Sequence, residues 1–355
     1  RYVAYQALYV ITKKAEFVRP IPTAVGWRRF FDDAIFRVHH LSFHGQGHVT
    51  DDDIVHVAKL KGLRRLSLHG TRATDVSARA VARLPQLEAL SFQGTNLTDD
   101  GVKQLASLRN LKSLSLNHTS ITDAAMADLA SLSELEVLRI ERTQVTDVGV
   151  AQLQRLKKIR HLLVSPNRNQ PPTQLCVELG KLTTLERLHV TKAEPMLSEG
   201  DVAELSSLNR LQVVSLRGAM PYPEFWSQFS DLRELEIEAR GDVSIQASDR
   251  LESVQVDYRT SGGAVSLTTL PQLKTARINM FLSSTEHEVV TDVPQLHTLQ
   301  VTAGRLTLSR APALNVLGVS GHCRPSSSAK VQRTRWKPTP FLLLSELPNL
   351  TDLSI

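Results

Sequence analysis

The chain has 355 residues, a net charge of +6, and a hydrophobic content of 41% of which little is aromatic. A low aromatic share argues against an aromatic-centred β-sandwich and favours a core of Leu, Val and Ile. The charge is mildly basic without a dense Lys/Arg stripe, so a protein partner is favoured over nucleic acid. Two cysteines far apart in sequence, Cys176 and Cys323, imply no disulfide framework.

The N-terminal 36 residues do not share the repeated pattern of the rest of the chain. Tyr2, Tyr5 and Tyr9 have rough helical spacing, and Pro20 and Pro22 then interrupt it. A repeat array needs its first open edge covered. We therefore interpret 1–36 as an N-terminal cap and 37–355 as the array. An aromatic docking motif is the alternative interpretation of 1–36.

A phrase of the form LxxLxLxxT recurs at a spacing of 24 residues. It is opened in turn by Leu63, Leu87, Leu111, Leu135 and Ile159. The alternation within LxL predicts a short strand with one buried face.

A second phrase follows each strand. One copy runs from Leu97 through Thr98, Asp99 and Gly101 to Val102, with Leu105 and Leu108 after it. Thr or Asp is a good helix N-cap, and the apolar residues then share one helical face. Each unit is predicted to be strand, turn, helix and turn, and neither element buries its apolar side unless neighbouring units stack.

These phrases resemble the leucine-rich repeat, and residues 27 to about 160 resemble the Thr-Asp-rich type found in bacteria. The resemblance implies an α/β fold: a right-handed solenoid, or horseshoe, with a parallel β-sheet on the concave face. Helices are expected on the convex face in the N-terminal half. Thr71, Thr95, Thr119 and Thr143 occupy a position that satisfies buried backbone groups in the family. A solvent-facing role for these threonines is the alternative.

The repeat continues with a looser register toward the C-terminus. Later strands are predicted to start near Leu185, Leu211, Leu232, Leu251, Leu273, Leu296, Leu314 and Leu350, and an earlier one lies within 38–43, which gives about fourteen strands. From Asp242 onward the return segments, such as Val243–Ile245 and Leu306–Leu308, are short and alternating. We expect extended or turn structure there in place of helices.

Charged residues at outward strand positions are the predicted partner-binding surface. The basic series, with one acid among it, is Arg139, Glu141, Arg142, His161, Arg187, His189, Lys192 and Arg217. An acidic series follows, formed by Glu234, Glu236, Glu238 and Asp257, and Arg277 ends the charged run. Same-sign residues on adjacent strands repel, so their retention favours a complementary protein partner. The alternative is that they only keep the sheet soluble.

A basic insertion at 321–340 is the second predicted surface. It carries Arg324, Lys330, Arg333, Arg335 and Lys337 and no acidic residue. Such a loop suits an acidic partner, or nucleic acid, although a solvated insertion is the simpler interpretation.

No motif for catalysis, a cofactor or a metal is found. The chain has no phosphate loop, no GxSxG elbow and no paired-Cys spacing. His44 and His69 occupy equivalent positions in neighbouring repeats, but nothing clearly completes a ligand set around them. The predicted function is a non-catalytic scaffold that binds a protein or peptide on the concave sheet. The alternative is the recognition arm of a larger enzyme, such as a ubiquitin-ligase receptor.

Compartment and oligomeric state stay open. The apolar stretch Tyr2–Ile11 is too short to cross a membrane and contains Gln6. We interpret the chain as part of a longer protein. Both a cytoplasmic location and a membrane-anchored bacterial exterior, as in many proteins of the resembled type, are compatible with it.

Overall fold

The computed structural model describes residues 39–165, 172–191, 197–218, 225–239, 241–258, 264–280, 287–302, 305–320, 342–345 and 352–354. The chain divides between residues 170 and 171 into two compact units. The predicted cap, the basic insertion with its five cationic side chains, and Lys192 lie outside the described residues.

The first unit contains a parallel sheet of six strands that pair in chain order. The strands are β1 (His40–Ser42), β2 (Arg65–Ser67), β3 (Ala89–Ser91), β4 (Ser113–Ser115), β5 (Val137–Ile140) and β6 (His161–Val164). The central leucine of each strand pairs with its equivalent in the next, as Leu90 does with Leu114. These leucines are buried, whereas the residues on either side point to the opposite, open face.

Short helices return the chain behind this sheet. They are α1 (Asp51–Val57), α2 (Asp75–Val81), α3 (Asp99–Leu105), α4 (Met126–Leu129) and α5 (Asp147–Gln152), with 3-10 turns at Asp123–Ala125 and Leu153–Arg155. The N-cap residues of α1, α2, α3 and α5 are threonines, as is that of the Asp123–Ala125 turn. Val102, Leu105 and Leu108 are all buried, which confirms the predicted apolar face.

The second unit contains eight further strands of this kind. They are β7 (Arg187–Val190), β8 (Val213–Gly218), β9 (Glu234–Ala239), β11 (Ser253–Tyr258), β13 (Thr275–Met280), β15 (Thr298–Thr302), β17 (Val316–Ser320) and β19 (Asp352–Ser354). All pair in parallel in this order. Six and eight strands give the fourteen expected, and each begins close to its predicted leucine.

The other layer of the second unit changes from helices to strands. Helices α6 (Thr173–Gly180) and α7 (Glu199–Ala203) are followed by 3-10 turns at Glu204–Ser207 and Phe225–Gln228. The remaining segments are β10 (Val243–Gln246), β12 (Val265–Thr268), β14 (His287–Thr291), β16 (Arg305–Ser309) and β18 (Leu342–Ser345). The expected extended segments are confirmed. They also pair with one another into a second parallel sheet, which was not predicted.

An aromatic cluster marks the change from helices to strands. Phe225, Trp226 and Phe229 are fully buried, with ring centroids 4.9 to 5.7 Å apart. They fill the layer just before β10, where the return segment becomes a strand.

Among the described residues, no helix is long and apolar enough to cross a membrane.

Candidate functional site

The turn after each strand of the first unit is held by a threonine hydroxyl. Thr71, Thr95, Thr119 and Thr143 each donate from Oγ1 to the carbonyl oxygen three residues earlier, at 2.7 to 2.8 Å. The first three side chains are buried and the fourth is half-buried. The prediction that these hydroxyls satisfy buried backbone groups is confirmed, and the solvent-facing alternative is wrong.

A ladder of aspartates and threonines joins consecutive coils, and this was not foreseen from the sequence. Asp75 accepts hydrogen bonds from the amide and hydroxyl of Thr98, at 2.8 and 2.6 Å. Asp99 binds Thr122 in the same way, and the pairs Asp51–Thr74 and Asp123–Thr146 repeat it. The signal was present as a Thr-Asp pair recurring every 24 residues. It was interpreted only as a helix cap within one coil.

Asp51, at the start of the ladder, makes additional contacts with the next coil. It accepts from both the amide and the hydroxyl of Ser77. Desolvation by burial opposes ionisation of this carboxyl, but its hydrogen bonds to Ser77 and Thr74 outweigh that effect, so its pKa lies below the ordinary value. Asp51 is therefore held as an ionised carboxylate between the first two coils at neutral pH.

The open face of each sheet, here called the front face, carries the predicted charged residues. On β9, Glu234 and Glu236 are exposed and Glu238 is half-buried, while the residues between them are buried. Arg187 is exposed on β7, and His189 is half-buried beside it. All of these side chains point away from the core, as predicted.

The register of the second unit pairs opposite charges at one place. Arg217 on β8 lies opposite Glu238 on β9, and its Nε is 2.8 Å from the carboxylate. The two side chains are only 17% and 20% exposed, so solvent screens this pair less than a surface pair. Asp257 on β11 lies directly opposite Glu238 in the strand register, and it accepts hydrogen bonds from Gln255 and Asn279.

The glutamates are arranged differently from the prediction. Glu234, Glu236 and Glu238 follow one another along a single strand, so they are not stacked on adjacent strands. Their cross-strand neighbours on β11 are Ser253, Gln255 and Asp257, in that order. Glu238 and Asp257 are therefore the one like-charge pair that this register of β9 and β11 places side by side. Repulsion is smaller than the sequence suggested, because alternate residues on a strand lie farther apart than direct cross-strand neighbours.

The predicted residues of the first unit lie at the end of its sheet. Arg139 and His161 are half-buried on the front faces of β5 and β6. Glu141 and Arg142 follow β5 and belong to the turn. Glu141 accepts from Asn117 Nδ2 at 2.7 Å, and exposed Arg142 has a left-handed φ of 52°.

A shallow open depression of about 360 Å³ lies on the front face of the first unit. Its floor includes a row of serines in register on neighbouring strands, which are Ser42, Ser67, Ser91 and Ser115. Arg65 and Arg139 also line it. These serines carry no charge, so the prediction based on charged strand positions did not include them.

The two histidines considered as metal ligands do come together. Nδ1 of His44 lies 2.8 Å from Nδ1 of His69, so the N–H of one ring donates a hydrogen bond to the other ring. Desolvation, with smaller contributions from His44 and His118, lowers the pKa of His69. Within the described part of the chain, no three His, Cys, Asp or Glu side chains are placed to hold a metal ion.

Cys176, the cysteine within the described residues, is fully buried in α6. Burial raises the pKa of its thiol to about 12, and the nearby carboxylates of Asp201 and Glu204 act in the same direction. A thiol with this pKa is protonated at neutral pH, so it is neither a nucleophile nor a ready metal ligand.

Comparisons with known proteins agree with the repeat. The chain is similar to an internalin (inlF) from Listeria monocytogenes, with a TM-score of 0.49 and 14% identity, over 99% of this chain and 94% of that one. It is also similar to a leucine-rich-repeat protein from Leptospira interrogans, with a TM-score of 0.45 and 15% identity, over 86% of this chain and 88% of that one. No curated protein sequence is significantly similar. The leucine-rich repeat region family matches residues 34–246, which is more than half of the chain. The chain therefore belongs to the leucine-rich-repeat family.

Proposed function

We propose that this protein is a non-catalytic interaction scaffold that binds a protein or peptide on the front face of its parallel sheet. The observation that carries the proposal is the open sheet face itself. Parallel sheets are usually covered by packed elements on both faces. Among the described residues of the second unit, the strand positions that face the helices and the second sheet are buried, and the alternate positions are exposed or half-buried. The front face of β9 keeps two glutamates exposed to solvent.

The distribution of charge supports a protein partner. Arg187 and His189 lie on β7, and the glutamates lie on β9, with the Arg217–Glu238 pair at their boundary. Complementary charge steers a partner and fixes its register more than it adds affinity. A face with a basic side and an acidic side therefore selects a partner by orientation as well as by sign.

Charge reversal tests this proposal. The full chain would be used to capture its partner from an extract of the cells that express it, followed by mass spectrometry. Arg187→Glu and Glu236→Lys should each weaken capture about tenfold and alter its dependence on salt. Both residues are exposed, so the fold should be retained.

Matched controls come from the same unit. Arg210 and Asp249 are exposed and lie outside the strands. Arg210→Glu and Asp249→Lys make the same charge changes and should leave capture unchanged. Capture that is insensitive to the two strand variants, or equally sensitive to these controls, would contradict the proposed surface.

A further inference from the structure

The depression on the front face of the first unit has the features of a binding site for an acidic peptide. Small side chains make it: the serine row on its floor and Ala89 and Ser113 beside that row. Large side chains at these positions would fill the space. The depression is therefore a consequence of the residue choice on four neighbouring strands, β1 to β4.

One hydroxyl in this depression is buried without a partner. The Ser115 side chain is 7% exposed, and Oγ has no hydrogen-bond partner among the described residues. A buried hydroxyl without a partner costs free energy, and buried polar groups in folded proteins are nearly always satisfied. Ser115 lines the depression, so rotation of its side chain about the Cα–Cβ bond would turn the hydroxyl toward a ligand seated there, which would supply the missing partner.

Two guanidinium groups flank the serine row. Arg65 is exposed on β2. Arg139 is half-buried on β5, where it lies directly opposite Ser115 of β4 in the strand register. In the described part of the chain, neither side chain has a hydrogen bond or ion pair. By contrast, the neighbouring Arg64 is bound to Glu88 at 3.0 Å.

The charge of the depression is of one sign. No Asp or Glu is among its lining residues, whereas Arg65 and Arg139 are. Guanidinium groups match carboxylates in bidentate geometry, and serine hydroxyls donate to carboxylate or backbone oxygens. The complementary ligand is anionic and bears several hydrogen-bonding groups.

We infer that this depression binds an extended acidic peptide segment that lies across strands β2 to β5. Three strand intervals and a two-residue offset separate the two arginines by roughly 16 Å, a distance that about five extended residues span. Carboxylates about five residues apart would meet the two guanidinium groups, and the intervening backbone would lie over the serines. The inference deepens the proposed function, because Arg139 belongs to both surfaces.

A defined peptide probe tests the inference. The full chain would be titrated with fluorescein-labelled Glu-Glu-Ser-Gly-Glu-Glu, and binding followed by fluorescence anisotropy at about 50 mM and about 300 mM NaCl. The peptide with Gln in place of every Glu is the control ligand. The acidic peptide should bind and weaken with salt, and the neutral peptide should bind at least about tenfold more weakly.

Variants of the depression give the decisive comparison. Arg65→Glu with Arg139→Glu should reduce acidic-peptide affinity more than about tenfold. Arg79→Glu with Arg155→Glu makes the same charge change at exposed residues on the helical side and should leave affinity unchanged. Ser115→Val fills the depression and should weaken binding at least about threefold while the thermal midpoint stays equal or rises, since the hydroxyl it removes has no partner.

Several outcomes would overturn the inference. Absence of acidic-peptide binding up to roughly 1 mM is one, and undiminished affinity of the Arg65→Glu, Arg139→Glu protein is another. Heparin binding that this variant abolishes, without peptide binding, would assign the depression to a sulfated polymer instead. Arg187→Glu and Glu236→Lys, which test the proposed function, should leave peptide affinity unchanged, so the two ideas fail separately.

Discussion

At the scale of single residues, the Asp–Thr ladder explains why Thr-Asp pairs recur in this chain. Each threonine caps a helix or turn of its own coil, while the following aspartate accepts from the threonine of the next coil. Asp99, for example, is the first residue of α3 and also accepts hydrogen bonds from the amide and the hydroxyl of Thr122. The ladder thus adds specific polar contacts between coils to their non-directional apolar packing.

Adjacent aspartates in α3 allow a controlled test of the ladder. Asp99→Ala should lower the free energy of unfolding by about 1–3 kcal/mol, because it leaves two donors of Thr122 without their acceptor. Asp100→Ala removes a neighbouring charge that is exposed, and should cost no more than about 0.5 kcal/mol. Urea denaturation of both variants measures the difference. Equal losses would mean that helix electrostatics, and not the ladder, accounts for the effect.

The thiol of Cys176 should be unreactive in the folded protein. In a Cys323→Ser chain, Cys176 is the remaining cysteine, and its raised pKa and burial keep it protonated and covered. Reaction with Ellman's reagent should be negligible at neutral pH and complete once urea unfolds the chain. Rapid modification before unfolding would show that α6 does not shield this side chain as described.

The His69 pair should make stability depend on pH. The pKa of His69 is lowered in the folded state, so the unfolded chain binds more protons below the ordinary histidine pKa of about 6.5. This contribution is fully present above that pKa and is lost as the pH falls below it and through the lowered pKa of His69 in the folded state. His69→Gln, which places the residue found at Gln93 in the next coil, should flatten the fall in the urea midpoint between about pH 7.5 and about pH 5. The control His297→Gln, in the second unit, should retain the fall in full, and a variant at position 69 that also retained it would contradict this assignment.

At the scale of the element, a glycine in α3 packs closely against an aspartate of the previous coil. A Cβ at Gly101 would collide with Asp75 Oδ1, the ladder oxygen, and with the side chain of Leu97. Gly149 is in the same position relative to Asp123. Gly101 and Gly149 therefore make room for the carboxylate in their coils, although glycine disfavours a helix. Ala125 has the equivalent position beside Asp99, and its coil begins with a 3-10 turn instead of an α-helix.

Alanine substitutions at two helical glycines distinguish steric overpacking from the gain in helix propensity. Gly101→Ala should destabilise the protein by about 2 kcal/mol through overpacking. Gly200→Ala, at an exposed position of α7 where only Ser198 Oγ lies within 4 Å, should stabilise it by about 1 kcal/mol through helix propensity. Thermal or urea denaturation reads both. Stabilisation by Gly101→Ala would refute the requirement for space beside Asp75.

The elements were predictable to the extent that they follow local periodicity. The strand near each repeated leucine, the apolar face of α3 and the extended segment at Val243–Ile245 all follow from the spacing of aliphatic residues. The pairing of β10 with β12 does not follow from this spacing. The alternation within each segment predicts only that one face is buried, and it does not predict which neighbour accepts the backbone hydrogen bonds. A second parallel sheet needs contacts between residues about 22 positions apart.

The candidate surfaces were predictable in direction but not in pairing. Alternation placed Glu234 and Glu236 on the front face correctly. The Arg217–Glu238 contact depends on the register between β8 and β9, which the sequence does not encode locally. The serine depression could not be predicted for a similar reason, because an unpartnered Ser115 Oγ is a property of the packed sheet and not of a motif.

At the scale of the whole molecule, the two sides of the coils differ in what covers them. One side is closed by helices in the first unit and by helices and a second sheet in the second. The other side is a row of strands with polar and charged side chains exposed. Recognition is expected on the open side because docking there need not disrupt the described core.

Site-specific photocrosslinking tests this assignment most directly. The crosslinking residue p-benzoylphenylalanine would replace Ser215 on the front face of β8 in one chain, and Ser266 on the outer face of β12 in another. Both positions are half-buried, uncharged strand residues of the second unit. Irradiation in an extract of the expressing cells should give a discrete covalent adduct of the captured partner from position 215 and none from position 266. An adduct formed from position 266 and absent from position 215 would contradict the claim that the front face is the recognition surface.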